Sequence, residues 1–161
     1  RTFIEPSQSI RSLGVKLKLS STKSIVKDKS LILIDDSLVR GTTCYKIVKM
    51  LYEAGAKEVH VRIACPEIKF PDFYGVDMPT KNELLAHGRT ITEMCNYIKA
   101  KSLKFLSING LYKALAGELR NDSYPQFSDH YFTGDYPIRP HDKIKGLKIK
   151  QLSLLSGKSN N

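Results

Sequence analysis

The sequence predicts an α/β domain built on a parallel sheet with helices against it, and three stretches carry that expectation. Leu31, Ile32, Leu33 and Ile34 form an unbroken apolar run that ends in Asp35 and Asp36. Residues 42–54 then space Ile47, Met50, Leu51 and Ala54 as one stripe of a helix, with Gly55 placed to stop it. Residues 58–64 alternate Val59, Val61 and Ile63 with His60 and Arg62, the period of a strand with one wetter face. Strand, helix and strand in that order make a βαβ unit, whose crossover is right-handed on general grounds.

The elements follow in order along the chain. The run 31–34 has no polar alternation, which fits a central parallel strand buried on both faces better than a half-exposed one. Beyond Pro66 and Pro71 the chain reads as loop. Three short stretches then read as helices, 81–87, 92–99 and 109–117, with a brief strand at 103–108 between the last two. No internal repeat or low-complexity segment interrupts them.

In open α/β sheets ligands bind beyond the carboxyl ends of the strands, so chemistry is expected just after Ile34. An ionised carboxylate only accepts hydrogen bonds. Asp35 and Asp36 in succession therefore suit adjacent hydroxyls of a sugar ring, or the water shell of a divalent cation. Ser37, Leu38, Val39, Arg40, Gly41, Thr42 and Thr43 add a glycine, hydroxyls and a run of backbone N–H groups at the positive end of the following helix, an anion nest. A sugar phosphate satisfies both halves.

Plainer roles stand beside these. Asp35 and Asp36 also suit a turn, and Thr42 and Thr43 also suit helix capping, which is compatible with anion binding because a helix N-terminus accepts either partner. Ser37 lacks a histidine at the spacing an activated nucleophile needs, so phosphate binding or loop structure is preferred. Arg40 is balanced between a phosphate contact and a solvent-facing cation. His60, His87, His130 and His141 have no metal-like spacing and read as surface or structural, and Phe73 and Tyr74 read as core.

Composition bounds the rest: 41% hydrophobic and 26% charged residues, with no apolar run near the ~18 to 20 residues of a membrane span and no secretory signal. The net charge of +10 sits at the two ends. Residues 1–30 hold seven Lys or Arg against two acids, and residues 141–161 five against one, while the middle is nearly balanced at fourteen against thirteen. That distribution disfavours nucleic-acid binding, and the tail 143–155, alternating cations and aliphatics, reads as a solvated terminus. Cys44, Cys65 and Cys95 are scattered and odd in number, so reduced thiols are expected.

On these residues, 35–43 resembles the phosphoribosyl-pyrophosphate (PRPP) signature of type I phosphoribosyltransferases, in which the two acids hold the ribose 2- and 3-hydroxyls and the loop wraps the 5-phosphate. The flanks narrow the resemblance. Arg1-Thr-Phe-Ile-Glu-Pro-Ser-Gln and Leu13-Gly-Val-Lys-Leu-Lys-Leu upstream are similar to the amidophosphoribosyltransferase (glutamine PRPP amidotransferase) family. So are Gly55-Ala-Lys-Glu-Val-His-Val-Arg-Ile, Pro66-Glu-Ile-Lys-Phe-Pro-Asp-Phe-Tyr-Gly-Val-Asp-Met-Pro-Thr and Phe132-Thr-Gly-Asp-Tyr-Pro downstream, so the likeness runs from residue 1 to about residue 137.

The resemblance implies a type I phosphoribosyltransferase-like parallel sheet flanked by helices and incomplete at its N-terminal side. Residues 1–120 are then the carboxyl-terminal part of that domain, with Arg1 in a flap over 1–20 and the PRPP motif at 31–43, and residues 121–161 an extension with a basic tail. That family replaces the pyrophosphate of PRPP by ammonia from glutamine, giving 5-phosphoribosylamine in the first committed step of purine synthesis. It implies PRPP and Mg2+ as ligands, the metal shared by Asp35 and Asp36 partly through ribose or water, and purine nucleotides as inhibitors. It further implies a homo-oligomeric cytoplasmic parent enzyme. Some members hold an iron–sulfur cluster through cysteines; the matching positions here are Asp72, Ser128 and Tyr131, so no cluster is expected.

No catalytic residue is assigned within the chain, because the family's glutaminase nucleophile is an N-terminal cysteine and its pyrophosphate segment lies upstream of the matched part. The chain is therefore expected to be a truncated gene product or expressed fragment, inactive alone. Two alternatives stay open: a regulatory module that binds PRPP or a nucleotide without catalysis, and an inactive remnant.

Overall fold

The computed structural model describes residues 23–75 and 80–138. The expected flap over 1–20 and the basic tail lie outside the described residues. A short helix α1 (Lys23–Val26) leads into strand β1 (Ser30–Asp35), helix α2 (Thr42–Glu53) and strand β2 (Glu58–Ile63). A 3-10 turn (Lys81–Glu83), α3 (Ile91–Ile98), β3 (Ser102–Phe105), α4 (Ile108–Ala116) and α5 (His130–Thr133) follow. The strands form one parallel sheet in the order β1-β2-β3, with Ser30 opposite Glu58, Asp35 opposite Ile63 and His60 opposite Ser102. Sequential strands lie side by side because each pair is joined by a connection carrying a helix, as a parallel pair requires.

β2 alternates as its residues demand, with Val59, Val61 and Ile63 buried and Glu58, His60 and Arg62 only half-buried. Against that buried face lie Cys44, Val48 and Leu51 of α2 and Met94 and Ile98 of α3, joined by Leu103 of β3 in one core. Each fully buried aliphatic side chain contributes about 1.5–3 kcal/mol relative to exposure. The core thus fixes α2 against the sheet, and with it the turn that precedes α2.

β1 corrects an expectation. Among the described residues it lies at the edge of the sheet, and of its side chains Leu31 and Leu33 pack against the core, while Ile32 and Ile34 are 67% and 71% exposed. Side chains of a strand point alternately to opposite faces, and hydropathy reports which residues favour burial without reporting whether a layer lies against them. A second correction concerns 81–87, where the helix reduces to the 3-10 turn and Leu84 is extended (φ −70°, ψ 122°). Leu84, Leu85 and Ala86 are all buried. Three consecutive residues cannot share one helix face, so burial overrides helix formation here.

The other helices start and stop on local chemistry. Thr90 caps α3 in a reciprocal box, its Oγ1 accepting from the Glu93 N–H (3.2 Å) while Glu93 Oε2 accepts from the Thr90 N–H (2.7 Å). Ser107 caps α4 by accepting from the Gly110 N–H at 3.0 Å. Among the described residues no helix is long and apolar enough to cross a membrane.

Residues beyond α4, including α5, where no helical pattern marks the sequence, are tied back by two polar knots. The Arg120 side chain, 8% exposed, donates to Asp129 and Asp122 at 2.6 Å each and also pairs with Asp135. Tyr112 Oη–H and Thr133 Oγ1–H donate to the same Asp129 carboxylate at 2.9 and 3.0 Å. In the second knot His130 meets Asp72 through Nε2 (2.9 Å) and Ser128 through Nδ1 (3.0 Å).

Candidate functional site

The carboxyl end of β1 places Asp35 and Asp36 at the rim of the sheet. The Asp35 carbonyl accepts from the Ala64 N–H at 2.9 Å, which continues the β1–β2 ladder to the last strand residue and fixes where the loop departs. Beyond it the acids are held locally. The Asp36 N–H donates to Asp35 Oδ1 at 3.0 Å, and Ser37 Oγ–H donates to Asp36 Oδ1 at 2.8 Å. Each of these bonds takes one carboxylate oxygen, and a carboxylate has room for about four.

The two acids differ in their surroundings. Asp35 is half-buried, and burial chiefly, opposed by the Asp36 N–H and helped by the Asp36 charge, holds its carboxyl above the usual range. Asp36 is exposed. Cys44 lies buried below: burial, with the Asp35 charge adding, pushes its thiol up to about 11. Burial likewise raises the Cys65 thiol, against a hydrogen bond from the Leu38 backbone and with the charges of Asp36 and Asp35 adding. Both thiols are therefore protonated at neutral pH and serve as packing under the acids rather than as nucleophiles.

After the acids the loop turns inward at Leu38, which is buried in the core, and its Val39 carbonyl accepts from the Leu85 N–H at 2.8 Å. Gly41 ends the turn in the left-handed region (φ 75°, ψ −10°) as the N-cap of α2. A Cβ there would stand 2.6 Å from Leu85 Cδ2 and 3.1 Å from Tyr97 Cε1, so only glycine fits. No side chain caps α2, and Thr42 and Thr43 are exposed first-turn residues. This departs from the capping role open to the two threonines. The first-turn N–H groups and the positive helix end are thus left for a ligand or water.

Arg40 has a protein partner: its Nε–H donates to Glu83 Oε2 at 2.9 Å. The structure therefore brings Asp35, Asp36, Ser37, Gly41, Thr42 and Thr43 into one turn and ties Arg40 to a second segment. Among the described residues no three His, Cys, Asp or Glu side chains cluster to hold a metal. Two adjacent hard-oxygen donors suit Mg2+, which binds through one or two carboxylates and keeps several waters or substrate oxygens.

With this geometry in view, the comparisons with known proteins decide the family. A Rhizobium etli amidophosphoribosyltransferase is 57% identical over 157 residues, 97% of this chain and 32% of its own length. The chain belongs to the amidophosphoribosyltransferase family. The chloroplastic amidophosphoribosyltransferase 2 of Arabidopsis thaliana is 51% identical over 90% of this chain and 25% of its own length. The solved B. subtilis glutamine PRPP amidotransferase, complexed with ADP and GMP, superposes with a TM-score of 0.66 at 43% identity, covering 85% of this chain and 30% of that one. This chain spans between a quarter and a third of the length of the relatives it matches, their carboxyl-terminal part. No protein-family profile matches it.

Within that family frame, Asp72, Ser128 and Tyr131 converge. Asp72 and Ser128 both bond to His130, and burial together with Asp72 holds the Tyr131 hydroxyl above its usual range. His130 is accordingly structural, as its spacing implied. A concavity of about 560 Å³ in the 122–137 segment is lined by Tyr124, Phe127 and Tyr136 among others. Its carboxylates, Asp122 and Asp135, are engaged by Arg120, and none of its lining residues belongs to the 35–43 loop. Sequence reasoning missed Glu83, Leu85 and Tyr97 as neighbours of the loop. No local pattern marks them, since they reach it only through the fold.

Proposed function

We propose that this chain supplies the sugar-phosphate subsite of an amidophosphoribosyltransferase. Asp35 and Asp36 accept hydrogen bonds from the ribose 2- and 3-hydroxyls of PRPP, and Ser37, Leu38, Val39, Gly41, Thr42 and Thr43 surround its 5-phosphate. What supports the reading is one observation. Two carboxylates with acceptor capacity to spare stand beside a helix N-terminus that no side chain caps.

The parent enzyme converts PRPP, glutamine and water to 5-phosphoribosylamine, glutamate and pyrophosphate. Positive charge grows on the ribose ring as pyrophosphate leaves, and carboxylates next to the ring stabilise it. Neither acid acts as a base in this scheme. Asp35 and Asp36 are the residues that would hold Mg2+, through water or ribose oxygens, and such an ion offsets charge on the departing pyrophosphate. A purine nucleotide carries the same 5-phosphoribosyl group as PRPP, so the loop is also where a nucleotide inhibitor competes. The setting is cytoplasmic and the parent assembly homo-oligomeric.

The test is a titration of the 15N-labelled chain with ribose 5-phosphate and Mg2+. Amide signals of Ser37, Gly41, Thr42 and Thr43 are expected to shift and saturate together. Shifts confined to residues away from 35–43 at millimolar ligand would overturn the assignment.

A further inference from the structure

Arg40 is the one cation of the 35–43 loop, and it is bound by a residue 43 positions away. Glu83 uses both carboxylate oxygens in the arrangement: Oε2 accepts from Arg40 Nε at 2.9 Å and Oε1 accepts from Thr80 Oγ1 at 2.9 Å. Two residues on, the Leu85 N–H donates to the Val39 carbonyl at 2.8 Å, and the buried Leu85 side chain shares the core with Leu38 and closes on Gly41. The segment 80–85 thus grips the loop at Leu38, Val39, Arg40 and Gly41 in succession. The partners of the ion pair are about half exposed, so solvent and salt leave it little to add to global stability. Its consequence is geometric.

We propose that Glu83 is a positioning residue: by clamping Arg40 it holds the loop backbone so that a 5-phosphate meets N–H groups already in place. The proposal rests on the reading of 37–43 as a phosphate seat. A backbone nest binds an anion well only if its N–H groups are fixed before the ligand arrives, since disorder in the free loop is an entropy the ligand must remove. A guanidinium tied to a protein carboxylate cannot swing freely, so the ion pair with Glu83 restrains the Arg40 backbone that carries the nest.

The experiment compares wild type with Glu83→Ala, Arg40→Ala, the double variant and the conservative Glu83→Gln, using the whole chain. One readout is ribose 5-phosphate affinity from amide shifts; the other is hydrogen exchange at the Leu85 amide, which is bonded across to Val39. Affinity is expected to fall three- to tenfold in Glu83→Ala and by a similar factor in Arg40→Ala. The double variant is expected to be no weaker than either single one, because both remove the same contact. Glu83→Gln retains an acceptor for Arg40 and recovers part of the loss. Leu85 exchange is expected to quicken several-fold in Arg40→Ala, a change that leaves Thr80, Glu83 and their turn intact, while exchange at Val59 and Val61 stays put.

If Arg40 itself grips the phosphate, Glu83→Ala releases it and tightens binding, and that result overturns the proposal. Unchanged affinity together with unchanged Leu85 exchange overturns it as well. Should wild type bind no ribose 5-phosphate, quickened Leu85 exchange in Arg40→Ala upholds the clamp while the phosphate reading alone falls.

Discussion

The turn at 35–43 and the knot around Arg120 hold comparable charge in opposite conditions. In the knot, Arg120, Asp129, Tyr112 and Thr133 bond one another inside the protein, and the Arg120 and Asp129 side chains are 8% and 5% exposed. In the turn, the Asp35 and Asp36 carboxylates accept from their immediate neighbours alone among the described residues, and no side chain caps the helix behind them. The difference separates carboxylates whose acceptor capacity is spent on the fold from carboxylates with capacity to spare. Burial alone raises the Asp129 carboxyl, but the hydrogen bonds of Arg120, Tyr112 and Thr133 and the guanidinium charge outweigh it and bring it below the usual range. At Asp35 burial is not outweighed, and the carboxyl ends above that range. One charge is stabilised by folding and the other is destabilised by it.

The largest expected effect breaks the knot. Asp129→Asn leaves a buried guanidinium short of its central partner, a loss of about 3 kcal/mol in unfolding free energy by urea denaturation. Ribose 5-phosphate affinity of the folded fraction should be unchanged. A stability loss below about 1 kcal/mol would show that Asp122 and Asp135 alone satisfy Arg120.

The complementary change is Asp36→Asn, with Asp35→Asn added for a stronger effect. Each lost carboxylate-to-hydroxyl bond is expected to weaken ribose 5-phosphate binding by about 1.5 to 3 kcal/mol, roughly tenfold to a hundredfold, with thermal stability maintained. Equal affinities by calorimetry would remove the ribose assignment.

Gly41→Ala lies between the two regions, since this residue shapes the loop and touches the core. Its left-handed backbone costs an L-residue about 1–2 kcal/mol, and the new methyl meets the buried Leu85. Stability and binding should both fall, which thermal unfolding and the ribose 5-phosphate titration read separately.

The smallest effect sharpens the contrast in pH. A raised folded-state pKa makes ionised Asp35 a cost to stability, fully present above that pKa. The cost fades as pH falls through it and vanishes below the unfolded value of about 3.9. Asp35→Asn should therefore raise stability at pH 7 by less than about 1 kcal/mol, given its partial exposure, and leave it unchanged near pH 3. Asp129 runs the other way: its contribution is present above about pH 3.9 and is lost as pH falls through its lowered folded value. Unfolding curves at pH 7 and pH 3 check both signs.

Much of this was legible in the residues themselves. The helical stripe of α2, the alternation of β2, the stop at Gly55 and the order acids, glycine, threonines depend only on local spacing, which fixes which side chains share a face. β1 was legible as a strand, but the exposure of Ile32 and Ile34 was not, because an apolar run records a preference for burial and not the presence of a covering layer. Helix 81–87 failed because three consecutive buried residues answer to the core and not to a helical period.

The sequence by itself determined that a βαβ turn carries paired acids into a hydroxyl-rich loop, since those features are contiguous and local chemistry suffices. Only the tertiary structure decided that Glu83 holds Arg40, that Asp129 gathers Arg120, Tyr112 and Thr133, and that His130 joins Asp72 to Ser128. Glu83 and Arg40 lie 43 positions apart and His130 and Asp72 58, while the Asp129 cluster gathers side chains from separate elements within 112–133. They meet only because burial of apolar side chains brings their elements together, and no periodicity along the chain encodes which charge will find which partner.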